Sequence, residues 1–233
     1  MATAARRSEK REGGRAEVKQ QLEKFEVNGV TLEADVITTP AATGVVLFVH
    51  GSGSSRHSSR NQSVARVLQQ RGFDTVLMDL LTPEEEQADR FTGHLRFDIE
   101  FLARRVVGVV YQLRDGSKLP FGLFGASTGA AAALATAAAR PDDIAAIVSR
   151  GGRPDLAGAA LPMVVAPTLL IVGGADREVL ELNRQARQAM TRARDVRLEI
   201  VPGASHLFEE PGALEQVAGL AGDWFTLHLK GEA

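Results

Sequence analysis

Cysteine is missing from this 233-residue chain, which excludes disulfide bonds, thiolate nucleophiles and zinc–thiolate centres. A strong net charge is missing too, because 27 Lys and Arg residues oppose 29 Asp and Glu residues and leave a formal charge of −2. That balance provides no bulk attraction to nucleic acid or to an anionic membrane, so neither is expected as a partner. The five histidines show no ligand-like clustering, and we therefore expect no metal and no other cofactor.

Long hydrophobic runs are also missing, and no segment approaches the length that a membrane span requires. The first residues of the chain mix arginine and lysine with glutamate and hold no apolar stretch of the kind found in secretory signals. We interpret residues 1–21 as a mobile charged segment and residues 22–233 as one domain, because the chain shows no repeat and no second composition zone. A cytoplasmic location is the default expectation.

What the sequence does contain is a regular alternation of apolar strands and helices. Asn28-Gly29 joins two strands into an antiparallel hairpin, and the apolar run at 45–49 is typical of a strand buried on both faces. Strands are predicted at 25–27, 30–38, 45–49, 75–78, 121–124, 144–148, 168–172 and 196–201, and helices at 61–71, 95–113, 180–191 and 213–229, with one more ending at 140. Residues 82–93 are predicted as a polar loop. The pattern predicts an α/β fold with a mostly parallel central sheet, helices on both faces and an antiparallel N-terminal hairpin.

The pentapeptide Gly125-Ala126-Ser127-Thr128-Gly129 follows one predicted strand and opens an alanine-rich helix. A strand, a sharp turn and a helix with serine at the apex are the geometry of a nucleophile elbow, whose glycines let the strand and the helix meet closely. An ordinary helix N-cap, whose hydroxyl binds a free backbone N–H, explains the same serine without catalysis. The strand–turn–helix context favours the elbow, so Ser127 is predicted to be a nucleophile.

A nucleophilic serine needs a base, and the base needs an acid that orients it. Ligands of such sheets lie beyond the carboxyl ends of the strands, so both partners are sought just after strands. His206 follows the last predicted strand, whereas His228 lies in the last helix and is interpreted as a surface residue. Asp176 follows the preceding strand and is the preferred acid, with Asp155 and Glu178 as weaker alternatives. The order Ser127, Asp176, His206 is the chain order of a hydrolase of this type.

An oxyanion formed at the substrate also needs backbone N–H donors. One donor is expected from Thr128, because it directly follows the nucleophile. The other is expected from the loop His50-Gly51-Ser52-Gly53-Ser54-Ser55, which follows the first parallel strand and whose glycines let the backbone approach a substrate oxygen. Within that loop Ser52 is the predicted second donor.

These motifs resemble the α/β-hydrolase superfamily, and more narrowly the dienelactone-hydrolase-like family. The resemblance runs over nearly the whole chain from about Phe25, and its strongest pieces are 50–55, 125–129, 149–154, 173–176 and 203–210. The last piece is similar to a bacterial subgroup sometimes found fused behind a phosphoribosyltransferase domain. The family's namesake uses a cysteine nucleophile and this chain has serine, so the resemblance is to a serine-nucleophile subgroup and does not imply dienelactone hydrolysis.

The residues together predict a serine hydrolase, similar to carboxylesterases, that cleaves small or short-chain carboxylic esters through an acyl-enzyme. Roughly 20 residues separate the strand that ends near 148 from the strand that begins near 168, which is too few for a cap domain of the usual helical kind. We therefore expect an open, shallow site without a cap domain. The expected partner is a small-molecule ester, and the expected state is a monomer or a small homo-oligomer.

Arg150 and Arg153 follow the strand at 144–148 and are predicted to lie near the pocket. A pair of arginines can clamp a carboxylate or a phosphate on the substrate. The alternative is that they tie loops to nearby carboxylates such as Asp155 or Glu178, and the sequence does not decide between the two interpretations.

Two other functions remain open. A strand followed by Gly51-Ser52-Gly53 and a helix, with Asp79 ending the next strand, imitates a dinucleotide-binding fingerprint. However, Arg56 stands where the third glycine belongs, no lysine completes a P-loop, and this interpretation leaves the predicted catalytic residues unexplained. The second alternative is a non-catalytic or repurposed binding module of the same fold, because a fold does not determine a function.

Overall fold

The computed structural model describes residues 17–229, and its centre is one eight-stranded sheet. The strands are β1 (Lys19–Val27), β2 (Val30–Thr38), β3 (Gly44–Val49), β4 (Phe73–Met78), β5 (Phe121–Ala126), β6 (Ile144–Arg150), β7 (Thr168–Gly173) and β8 (Val196–Val201). Their order across the sheet is β1-β2-β4-β3-β5-β6-β7-β8. β2 pairs antiparallel with β1 and β4, and the other neighbouring strands pair in parallel. The predicted fold class is confirmed.

Helices cover both faces of the sheet and, within residues 17–229, build two large apolar cores and one small one. They are α1 (Ser59–Gln70), α2 (Pro83–Thr92), α3 (His94–Phe97), α4 (Ile99–Gly116), α5 (Thr128–Ala139), α6 (Arg177–Ala189) and α7 (Ala213–His228), together with the 3₁₀ segment Pro154–Met163. β3 is buried throughout: Leu47 joins the core that includes residues of α4 and α5, while Phe48 joins the core that includes residues of α1 and α7. Burial on both faces explains why this strand is continuously apolar. Within residues 17–229 no helix is long and apolar enough to cross a membrane.

The N-terminal hairpin turns at Asn28 and Gly29, whose φ angles are 53° and 81°. A two-residue turn with positive φ at both positions is the type that matches strand twist, and Asn-Gly adopts it at low cost. β1 begins at Lys19 and so includes the end of the segment interpreted as mobile; residues 1–16 of that segment lie outside the described part of the chain. The sequence prediction began the strand too late because this edge strand is polar and mostly exposed.

The segment at 82–93, predicted as a polar loop, instead contains helix α2. Thr82 caps the helix: its hydroxyl accepts the N–H of Glu85 at 3.3 Å, and the Glu85 carboxylate accepts the N–H of Thr82 at 2.9 Å. Gly93 ends the helix with a φ of 64°. The Thr-x-x-Glu capping pattern was visible in the sequence. The sequence of α2 shows no apolar periodicity, because the residue that this helix buries is the polar Asp89.

Candidate active site

Ser127 stands at the apex of a sharp turn between β5 and α5. Its backbone has φ 50° and ψ −122°, a conformation that residues with a β-carbon rarely adopt. A β-carbon on Gly125 would lie 2.4 Å from the Cα of Ala130, and one on Gly129 would lie 2.2 Å from the carbonyl oxygen of Val49. Both glycines are therefore required by close backbone approach. The Ser127 hydroxyl makes no helix-cap hydrogen bond, so the N-cap explanation of this serine does not hold.

The side chain of Ser127 instead meets the other two predicted catalytic residues. His206 Nε2 lies 3.3 Å from Ser127 Oγ, and His206 Nδ1 lies 2.7 Å from Asp176 Oδ2. With Nδ1–H donating to the carboxylate, Nε2 carries the lone pair that can accept the serine proton. The Asp176 side chain is 16% exposed and the His206 side chain 36% exposed, so the histidine faces the cleft and the aspartate lies behind it. The structure brings the three residues together.

Packing between the loops after β7 and β8 holds Asp176 and His206 in place relative to each other. The Ala175 N–H donates to the Ala204 carbonyl at 3.0 Å. A β-carbon on Gly173 would lie 2.3 Å from that same carbonyl oxygen and 2.5 Å from the carbonyl of Ser205, so only glycine permits this approach. Phe208 then anchors the histidine loop, since it is 2% exposed and held at a φ of 56°. The loop that carries His206 is thus fixed on both sides of the residue.

The two predicted donors meet on the other side of Ser127. Thr128 is the first residue of α5, where the N–H has no partner within the helix and the helix dipole favours negative charge. The Ser52 N–H donates to the Thr128 hydroxyl at 2.8 Å. The side chain of one donor residue therefore orients the other donor. The Ser52 N–H can bind another oxygen only when the Thr128 hydroxyl gives up this hydrogen bond.

His50 begins the loop of residues 50–55, here called the donor loop because it contains the predicted donor Ser52. The His50 side chain has a structural role. Its Nδ1 lies 2.9 Å from the Gly51 carbonyl, and its Nε2 accepts the Leu80 N–H at 3.2 Å. Burial lowers the pKa of His50 below its usual value, and this outweighs the opposing influence of the Gly51 carbonyl and the nearby carboxylates. A neutral imidazole satisfied on both nitrogens ties the donor loop to the segment after β4.

A pocket of about 240 Å³ lies beside the two donors. Its lining contains the donor loop and Thr128, three leucines and several charged residues, among them Leu80, Leu81, Leu102, Glu86, Arg90 and Arg96. We predicted an open, shallow site, but α2 and α3 supply a wall, because the segment after β4 folds into helices. Between β6 and β7 the chain forms only the 3₁₀ segment, so no cap domain is inserted there, as predicted.

The predicted arginine clamp is not assembled as a pair. Arg153 makes a bidentate salt bridge to Asp155, with N–O distances of 2.9 and 2.8 Å. The hydrogen bond to the Asp155 carboxylate raises the pKa of the Arg153 guanidinium. Arg150 is buried, and burial, followed by the positive charge of Arg60, lowers the pKa of Arg150 to about 10. Arg153 therefore binds a nearby carboxylate, as the alternative interpretation predicted. Arg150 is buried instead of bound to that carboxylate.

The other candidate residues, His228 and Asp79, have partners of their own. His228 stacks on Trp224 with ring centroids 4.4 Å apart, within α7 and away from the serine. Asp79, the acidic residue of the nucleotide-binding alternative, is bound by the guanidinium and the backbone N–H of Arg56. That carboxylate is therefore not free for a ribose. Among residues 17–229, no three His, Asp or Glu side chains are grouped as metal ligands.

Comparison with protein families and curated proteins adds independent findings. A family model described as alpha/beta hydrolase fold matches residues 44–209. Two proteins from strains of Mycobacterium tuberculosis, each provisionally named a phosphoribosyl transferase, are 60% identical to this chain over 191 residues. The match covers 81% of this chain but 42% of those proteins, so the chain spans less than half the length of these curated relatives.

Solved structures are similar over a larger share of both chains. A dienelactone hydrolase from Anabaena variabilis is 53% identical with a TM-score of 0.88, and the match covers 91% of this chain and 99% of that one. Est1E from Butyrivibrio proteoclasticus is 16% identical with a TM-score of 0.72, covering 88% and 97%. The second likeness concerns the fold alone.

Proposed function

Because the chain belongs to the α/β-hydrolase family and has its dienelactone-hydrolase-like form, we propose that it is a serine hydrolase. It cleaves small or short-chain carboxylic esters through an acyl-enzyme. The observation that carries the proposal is the hydrogen-bonded chain from Asp176 through His206 to Ser127 at a strained elbow. A hydroxyl held against an imidazole, which is itself held by a carboxylate, is the arrangement that activates a serine.

In the first step, Ser127 Oγ attacks the ester carbonyl while its proton passes to His206 Nε2. The Asp176 carboxylate stabilises the imidazolium that forms. The carbonyl oxygen becomes an oxyanion between the N–H groups of Thr128 and Ser52, the latter released from the Thr128 hydroxyl. Each such donor is worth about 10²–10³ in turnover in hydrolases.

In the second step, the tetrahedral intermediate collapses. The bond to the alcohol oxygen breaks, and His206 Nε2 returns its proton to that oxygen as the alcohol leaves. Water then repeats the sequence on the acyl-enzyme: the imidazole takes a proton from water, hydroxide adds to the carbonyl, and Ser127 Oγ leaves with the proton. The products are the acid and the alcohol, and the enzyme regains its first state.

The pocket beside the donors supports a small acyl group. Its volume of about 240 Å³ lies below the 300–1,000 Å³ typical of sites for drug-sized ligands. Leu80, Leu81 and Leu102 contribute apolar surface that suits a short hydrocarbon chain. Esters with short acyl groups are therefore the proposed substrates.

Labelling with a fluorophosphonate probe tests the mechanism directly, because the probe phosphonylates the activated serine of serine hydrolases. The wild-type protein is expected to be labelled, and Ser127→Ala is expected to be unlabelled. His206→Ala should lose most of the labelling, whereas Ser63→Ala, a serine on α1 away from the elbow, should keep it. Equal labelling of Ser127→Ala and wild type would reject the assignment.

The name of the curated relatives raises a second candidate, a phosphoribosyl transferase. We infer that this name concerns the portion of those proteins outside the match, because this chain carries the Ser127 elbow and its match covers 42% of their length. A phosphoribosyl-pyrophosphate-dependent transfer assay on this chain is expected to give no product. Transfer by the purified chain that survives Ser127→Ala would favour the second candidate.

A further inference from the structure

Strand β8 forms one edge of the sheet, and no further strand of residues 17–229 lies beside it. On its inner side β8 pairs in parallel with β7 over its whole length and without a bulge. Sheet edges attract further strands, and proteins usually protect them with lysine, proline, a bulge or a covering element. The sequence of β8, Val-Arg-Leu-Glu-Ile-Val, contains neither lysine nor proline, and Ile200 is 40% exposed. This edge is therefore able to accept another strand.

The backbone groups that β8 directs outward belong to Val196, Leu198 and Ile200. The carbonyls of Asp195 and Val201 each accept an N–H from the β7 side of the sheet at 2.8 Å. Backbone groups of successive strand residues point in opposite directions, so the odd-numbered residues of β8 face β7 and the even-numbered residues face outward. A strand laid along this edge therefore meets three residues that can each exchange an N–H and a C=O.

The side chains of β8 divide between the two faces of the sheet, because successive side chains point to opposite faces. Leu198 packs against the small core that includes Leu180 of α6. Arg197 lies on the other face, with its guanidinium 5.2 Å from the centroid of the Trp224 ring in α7. Glu199 shares that face and has no ion pair within residues 17–229. One face of the edge is thus apolar, and the other carries one cation and one anion.

This pattern is complementary to itself. When two copies of β8 pair antiparallel around a twofold axis at Leu198, Val196 lies opposite Ile200 of the second copy, and all the outward backbone groups of these residues are paired. Arg197 then lies opposite Glu199 of the second copy, in a non-hydrogen-bonded pair whose Cα atoms are about 4.5 Å apart. Opposite charges in such cross-strand pairs attract each other. The apolar side chains of both copies form one continuous stripe on the other face.

Other registers lose either the backbone pairing or the charge pairing. A shift by one residue sets outward backbone groups against groups that already bind β7. A shift by two residues centres the pairing on Arg197 or on Glu199, so like charges meet at the axis. In the matched register Arg197 has N–H groups left for Glu199, because its exposed contact with Asp195 uses Nε, 2.9 Å from the carboxylate. The backbone and the charges therefore select the same register.

We propose that β8 is a homodimer interface, at which a second copy of this chain continues the sheet across a twofold axis at Leu198. The opposite edge strand, β1, is a poorer site because it carries Lys19 and Lys24, and lysine is typical of protected edges. The interface is independent of the proposed hydrolase function, since the contact is made along the side of β8. The loop beyond its carboxyl end, which holds His206, remains outside the paired residues.

Light scattering coupled to size-exclusion chromatography of the full chain tests the interface. At micromolar to millimolar concentrations the wild type is expected to reach twice the monomer mass of 24.9 kDa. Glu199→Arg and Arg197→Glu each set like charges opposite one another on both sides of the axis and should weaken the dimer about 10-fold. An equimolar mixture of these two variants restores opposite charges in a heterodimer, so association should return. Glu100→Arg, the same change at an exposed position of α4, is the control.

A second pair of variants tests the backbone pairing without a change of charge. Ile200→Pro removes an N–H that points away from the sheet, and proline is tolerated at such edge positions, so the monomer should fold while the dimer is lost. Ile200→Thr keeps that N–H and should dimerise more strongly than Ile200→Pro. Circular dichroism and the Tm of each variant show whether the monomer is folded. This comparison keeps the test available if Arg197→Glu does not fold.

Three outcomes overturn the proposal. A wild type that stays monomeric over the whole concentration range rejects the interface. A dimer that is equally strong in Glu199→Arg and in Ile200→Pro uses another surface and rejects it as well. If the two folded charge variants do not associate when mixed, the pairing of residue 197 with residue 199, and with it the register, is wrong.

Discussion

Replacing Ser127 with glycine is expected to stabilise the protein relative to replacing it with alanine. Both variants lose the nucleophile, so the comparison isolates the backbone. Alanine keeps a β-carbon at φ 50° and ψ −122°, and holding such a residue in this region costs about 1–3 kcal/mol. Glycine adopts positive φ without that cost but gains more freedom on unfolding, worth about 0.5–1 kcal/mol.

The middles of the two ranges, about 2 and about 0.75 kcal/mol, leave Ser127→Gly more stable than Ser127→Ala by roughly 1 kcal/mol. For a domain of this size each kcal/mol shifts Tm by about 2–4 °C, so the expected increase is about 2–4 °C. At an ordinary helical position the same change from alanine to glycine is destabilising. Ala88→Gly, at an exposed position of α2, should lower the free energy of unfolding relative to wild type by about 1 kcal/mol. The comparison of Ala88→Gly with wild type is the matched control.

Urea unfolding followed by fluorescence measures the difference, because Trp224 is the one tryptophan of the chain and is 4% exposed. Calorimetry supplies the Tm values. A Ser127→Gly protein that is equally or less stable than Ser127→Ala would show that the elbow stores no backbone strain.

Gly129→Ala is expected to abolish fluorophosphonate labelling and lower Tm, since the added methyl would meet the Val49 carbonyl at 2.2 Å; normal labelling would contradict this. Arg150→Met is expected to raise the free energy of unfolding in anion-free buffer by about 1–3 kcal/mol. If the free energy of unfolding measured in urea is instead lower than that of wild type, the Arg150 cation already has a partner. Burial raises the pKa of Glu85, but the hydrogen bonds from Arg105 and the Thr82 N–H outweigh it and lower the pKa below 4.5. This stabilisation is present above pH 4.5 and lost as pH falls through the folded pKa, so a circular-dichroism pH titration should show less acid destabilisation in Glu85→Gln than in wild type.

Short-range sequence patterns were sufficient to predict most of the fold and the central residues of the candidate site. The apolar run of β3, the Asn28-Gly29 turn and the glycines around Ser127 each follow from backbone geometry that a few neighbouring residues determine. The rule that the partners of the serine lie just after strands selected Asp176 and His206 from the sequence alone, because parallel strands present their carboxyl ends at one edge of the sheet. Helix α2 was missed, although its capping pattern is also local, because a polar surface helix has no apolar period to detect.

The sequence by itself therefore determined the alternating α/β architecture and the identity and chain order of the serine, aspartate and histidine. Only the tertiary structure decided that Arg153 binds Asp155 while Arg150 is buried with an unpartnered Nη1 in the described part of the chain, and that the Thr128 hydroxyl accepts the Ser52 N–H. The physical reason is that periodicity and turn chemistry act between neighbours in the chain. The partner of a long charged side chain instead depends on which distant elements pack against it and on how much water that packing removes.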